Sequence, residues 1–171
     1  MTALHIKPGY RMVYLGLLLG LCLILSYVEN LIPLNFSIPG IKLGLSNFPV
    51  LICLYILNPV DALVLSISKA LLSSLLFGSM FSVLYSLFGA ILSCFVMIFL
   101  YKAGKFTAIS ISAAGGVFHN VAQFFIALVV LESKGLWYYF PFLILAGFVC
   151  GILLGMVAYF CIPYIKRIIL R

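Results

Sequence analysis

The chain has 171 residues, 66% of them hydrophobic and 8% charged, and a formal net charge of +7; its mean hydropathy is +1.34. These values lie far outside soluble globular usage and predict an integral membrane protein. At about 20 residues per crossing of a hydrocarbon core about 30 Å thick, the length allows about six helices and leaves no room for a second domain. Residues 1–171 are therefore read as one all-α transmembrane domain.

Pro, Gly and charge divide the apolar sequence into spans of roughly 11–32, 43–58, 60–77, 79–101, 107–131 and 138–162. The first is long enough to remain as a helix, and no small-residue cleavage site follows it, so the N-terminus is expected to be uncleaved. Gly16 and Gly20 line this span, and Glu29 with Asn30 closes it. The joint "IPGIKLGLSNFP" brings Lys42, Ser46 and Asn47 to the start of the second span, in a turn shaped by Pro39, Gly40 and Gly44. Interfacial anchoring and a lid over a cavity are both open readings for this joint.

The third span carries Lys69 near its middle, where a charge costs about 2.5–3.5 kcal/mol on insertion scales. Ala62, Ser66, Lys69 and Ser73 share one face at helical spacing, which points the ammonium into the bundle. A structural pair with Glu29, snorkelling, and a counter-charge supplied by a ligand all fit. Small residues that let backbones approach line the fourth span (Ser82, Ser86, Gly89, Ser93) and the sixth (Gly147, Gly151, Gly155), and both stripes read as internal packing faces.

The fifth span contains "GGVFHNVAQ", residues 115–123, which sets His119, Asn120 and Gln123 at one depth. A lone membrane histidine most often bonds one helix to another. Three such groups facing Lys69 exceed what packing needs, and they are read as a binding cluster. Cys22, Cys53, Cys94, Cys150 and Cys161 lie inside apolar runs without metal or disulfide spacing and are read as small core residues.

Lys7, Arg11, Lys102, Lys105, Lys166, Arg167 and Arg171 fall on one side of the predicted topology, against Lys42 and Lys134 on the other. The positive-inside rule then places both termini in the cytoplasm of a cell whose plasma membrane the chain spans six times. The same distribution accounts for the basic charge without nucleic acid, because the basic residues flank spans and form no stripe.

"IPGIKLGLSNF", the lysine in "LSISKALLSSLLFG", the following "SLFGAILS" and above all "GGVFHNVAQ" resemble the small membrane proteins labelled heptaprenyl diphosphate synthase component I, also called the Gx transporter family. The resemblance spans essentially the whole chain. It implies a six-helix substrate-binding S component of an energy-coupling factor (ECF) importer, which captures a nutrient or cofactor precursor from outside. Its implied partners are a T component and two ATP-binding subunits, which would hydrolyse the ATP. Gly16 and Gly20 match the small-xxx-small face by which S components are thought to contact the T component, although alanines are more usual there.

Prenyl diphosphate synthesis needs acid clusters that hold magnesium against diphosphate, and this chain has only Glu29, Asp61 and Glu132, all dispersed. It also lacks a GxSxG elbow, an HExxH motif and a P-loop, so no catalytic residue, metal or cofactor is expected. The alternatives to a binding subunit are a stand-alone oligomeric carrier or channel and a non-catalytic membrane subunit of an isoprenoid or quinone enzyme. Expected substrate contacts are Glu29, Lys42, Asn47, Lys69, His119, Asn120 and Gln123. Their chemistry suits an anionic or carbonyl-rich head group, such as that of a quinone or isoprenoid precursor.

Overall fold

The structure is a computed structural model that describes residues 8–31, 44–78, 80–132 and 134–169; Lys7, Lys42 and Arg171 lie outside the described residues. Its elements are α1 (Pro8–Leu31), α2 (Asn47–Ile56), α3 (Pro59–Phe77), α4 (Met80–Ala103), α5 (Ala108–Leu131), a 3-10 turn (Lys134–Tyr138) and α6 (Phe140–Ile169). All of the described elements are helical, and every long helix except α2 is long and apolar enough to cross a membrane.

Local chemistry sets the joints. Asn58 Oδ1 accepts from the Asp61 backbone N–H at 2.8 Å and caps α3, whose first residue is Pro59. Gly104, at φ +69°, ends α4 in the left-handed region, and three residues later Thr107 Oγ1 caps α5 by accepting from Ser110 N at 3.3 Å. The span expected to stop at residue 162 runs on through Pro163 to Ile169. A proline removes one ladder bond, and at the end of a membrane helix that loss is tolerated.

The second span departs most from expectation. A crossing over residues 43–58 was predicted, whereas α2 has 10 residues, a rise of about 15 Å or half the hydrocarbon thickness. Its side chains explain how so short a helix persists: Pro49 through Leu57 are buried all round. α2 packs against all five long helices and meets their side chains, so its length need not match the bilayer.

Two contacts fix how α1, α2 and α3 run. Arg11 Nε donates to Asp61 Oδ2 at 2.7 Å, so α1 and α3 start at the same end. At the other end of α1, Glu29 Oε1 accepts from the backbone N–H of Gly44 at 2.7 Å, just before α2. The segment from Gly44 to Asn58 therefore carries the chain back from the Glu29 level to the Arg11 level inside the bundle. Short joints then make α4, α5 and α6 successively antiparallel, and α6 ends on the side where α1 begins. Arg11, Lys102, Lys105, Lys166 and Arg167 all lie at this end, which we term the basic end.

Candidate functional site

The polar residues of the spans turn inward and gather at one level. On α3, Ala62, Ser66, Lys69 and Ser73 are all buried, as their spacing predicts. Ser66 Oγ donates to the carbonyl of Ala90 at 3.1 Å and joins α3 to α4. Lys69, 3% exposed, does not snorkel; its Nζ donates to Ser46 Oγ at 3.1 Å and to Asn47 Oδ1, at the start of α2. The ammonium is thereby held between α2 and α3. Glu29, also buried, anchors Gly44 only two residues before Ser46.

His119 and Gln123 come to the same place from α5. Both lean on α4 where it has no side chain, because a Cβ on Gly89 would lie 2.8 Å from His119 Cε1 and 3.1 Å from Gln123 Cγ. Gly44, at φ +83°, opens a second approach: its Cβ position lies 4.0 Å from His119 Cδ2 and 3.0 Å from Asn47 Nδ2. Ser46, Lys69, Ala70, Ser73, Ser86 and His119 enclose a cavity of about 10 Å³, the space of about one water molecule.

Asn120 separates from its neighbours. Successive helical residues point about 100° apart, and Asn120 faces α6, where its Nδ2 donates to the carbonyl of Leu143 at 2.8 Å. That bond ties α5 to α6, while Asn120 Oδ1 is buried and has no hydrogen-bond partner among the described residues. Gln123 is less satisfied still: it is 0% exposed, and neither Nε2 nor Oε1 has a hydrogen-bond partner among the described residues. Asn47 Nδ2 and Ser86 Oγ are in the same position. Buried polar groups are normally satisfied, so a cluster of this kind calls for a ligand, water or another segment.

The site thus unites Glu29, Asn47, Lys69, His119 and Gln123, while Lys42 lies outside the described residues. Ser26 was not anticipated. It is fully buried, and with Cys22 and Glu29 it forms the inward face of α1; the 3–4 spacing of those three residues was the available signal. Gly16 and Gly20 face away from all of this, and a Cβ on either would meet nothing within 4 Å. The stripes on α4 and α6 are buried, as expected for packing faces.

Residues 18–161, and so the core of every span described above, match the heptaprenyl diphosphate synthase component I family. The chain belongs to that family. No curated protein and no solved structure matches it. Within the family match lie the inward face of α1, the α2 start that holds Lys69, and the His119/Gln123 face of α5.

Proposed function

We propose that this family member is a substrate-binding S component of an ECF importer, embedded in the plasma membrane with both termini cytoplasmic. In this reading it carries out no chemical step; it holds a small molecule taken from outside, while a T component and two ATP-binding subunits supply the energy. The observation that carries the proposal is the fully buried Gln123 amide, unsatisfied among the described residues, beside the Lys69–His119 cavity. Groups from all of the first five helices converge there, a costly arrangement for packing alone. The ammonium and imidazole suit an anionic or carbonyl-rich head group, which an amide can orient by donating and accepting. A cavity as small as that described requires the neighbouring elements to part when such a ligand enters.

The family description supports a second reading, a non-catalytic membrane component of an isoprenoid synthase. The chain's acids lie on separate elements: Glu29 holds Gly44, Asp61 pairs with Arg11 and accepts from Asn58, and Glu132 ends α5. Their dispersal over α1, α3 and the end of α5 supports a binding role in either reading.

Affinity purification from the native membrane distinguishes the two. Recovery of ATP-binding subunits, with a retained small molecule identified by mass spectrometry, is the expected result. Recovery of a soluble prenyl-transferring subunit without ATPases would replace the importer reading with the second one.

A further inference from the structure

A second polar site lies at the basic end, away from the Lys69 cluster. A cavity of about 510 Å³ opens between the α4–α5 joint and α6, lined by Tyr55, Lys105, Phe106, Thr107, Tyr159, Lys166 and their neighbours. Its two lysines come from different segments, and neither is ion-paired among the described residues. No acid lines the space. The start of α5, capped by Thr107, also borders it and adds the partial positive charge of a helix N-terminus. The wall also contains Tyr55, 5% exposed, whose hydroxyl has no hydrogen-bond partner among the described residues. Its ring is held edge-on against Tyr101, with centroids 5.0 Å apart.

We propose that this pocket binds the phosphate head group of an anionic membrane phospholipid. Two ammonium groups, a threonine hydroxyl, a tyrosine O–H donor and a helix N-terminus form a donor set with a net positive field, which favours a phosphate oxyanion over a neutral or cationic group. The remaining lining, Phe106, Tyr159, Ile162 and Pro163, is aromatic and aliphatic. An acyl chain can lie along this wall while the head group stays at the end of the bundle. Basic pockets between membrane helices have this combination of charge and apolar wall. A free phosphate would use the charges but not the wall, and this separates the lipid from a soluble anion. The site is independent of the importer proposal, because it shares no residue with the Lys69 cluster.

The test uses the full chain in nanodiscs of phosphatidylcholine, with or without phosphatidylglycerol of the same acyl chains, and native mass spectrometry of the lipid retained on release. Phosphatidylglycerol should be retained about tenfold over phosphatidylcholine. Lys105→Gln combined with Lys166→Gln should abolish this preference, and Tyr55→Phe should reduce it several-fold. Lys102→Gln with Arg167→Gln removes the same charge from the same end outside the pocket and should leave the preference intact. Equal loss in both double variants would reduce the effect to diffuse surface charge and overturn the site. Stabilisation by millimolar inorganic phosphate without any preference for phosphatidylglycerol would make it a free-anion site and overturn the lipid assignment.

Discussion

A Cβ added to Gly147 would lie 2.6 Å from the carbonyl oxygen of Gly116, so α5 and α6 touch through bare backbone. In lipid, association depends on close packing rather than on expulsion of water, and this contact is where α5 and α6 gain it. The same stripe continues through Gly151, against Ala113, and Gly155, against Ile109. Gly147 also makes room for Asn120, whose Nδ2 would lie 2.9 Å from the added carbon.

Gly147→Ala should therefore destabilise the protein by about 1–3 kcal/mol through overpacking. Gly16→Ala should be neutral or stabilising by up to about 1 kcal/mol, because the new methyl meets nothing within 4 Å and alanine is the better helix former. Reversible unfolding in mixed micelles measures both. Comparable losses would contradict the assignment of one stripe to the interior and the other to an open face.

The open face has its own consequence. Gly16→Leu and Gly20→Leu should reduce co-purification with partner subunits at least tenfold while the isolated chain keeps its melting temperature. A fall in melting temperature of the isolated chain that matches the loss of partner would assign these glycines to internal packing.

The positive-inside rule, applied to the basic end, predicts the orientation. A cysteine placed at Lys105 should react with an impermeant maleimide only after the membrane is opened. One placed at Tyr138, which is 83% exposed beyond the far end of α5, should react in intact cells. A cysteine-free background is needed, because Cys150 and Cys161 are only partly buried. The opposite labelling pattern would invert the topology.

Composition made the long spans legible, because lipid selects apolar runs of a fixed length, and their ends follow Pro, Gly and capping residues that act locally. The length of α2 was not legible. An apolar run of that kind looks the same whether it faces lipid or five other helices, and only the surrounding packing distinguishes the two. Lys69 could be aimed correctly because its serines recur on its own helix. The Arg11–Asp61 pair, 50 residues apart, leaves no trace in local spacing. Asn120 was grouped with His119 and Gln123 by depth. Helical periodicity already separated it from His119 by about 100° and from Gln123 by about 60°, but its partner, the carbonyl of Leu143, is known only once α6 is in place.

That division of the polar trio provides the sharpest test of the site. Asn120→Leu breaks a bond between α5 and α6, so apo stability should fall by about 0.6–1.7 kcal/mol, and ligand binding should change only as far as the fold does. Lys69→Met leaves Asn47 Oδ1 and Ser46 Oγ without their donor, so apo stability should fall by about 1–3 kcal/mol and ligand should be lost with it. Gln123→Leu should behave differently from both. Its amide is fully buried and bonded to nothing described, so replacing it with an apolar group of similar size removes a desolvation cost without breaking an internal bond. Apo stability should hold or rise by about 1 kcal/mol. The small molecule retained on purification should nevertheless fall at least tenfold, which corresponds to about 1.4 kcal/mol of lost binding. Melting curves and quantitative mass spectrometry on the same preparations give both readouts. A Gln123→Leu protein that melts earlier and keeps its ligand would show that the amide supports the fold, and would remove the central observation from the binding-site assignment.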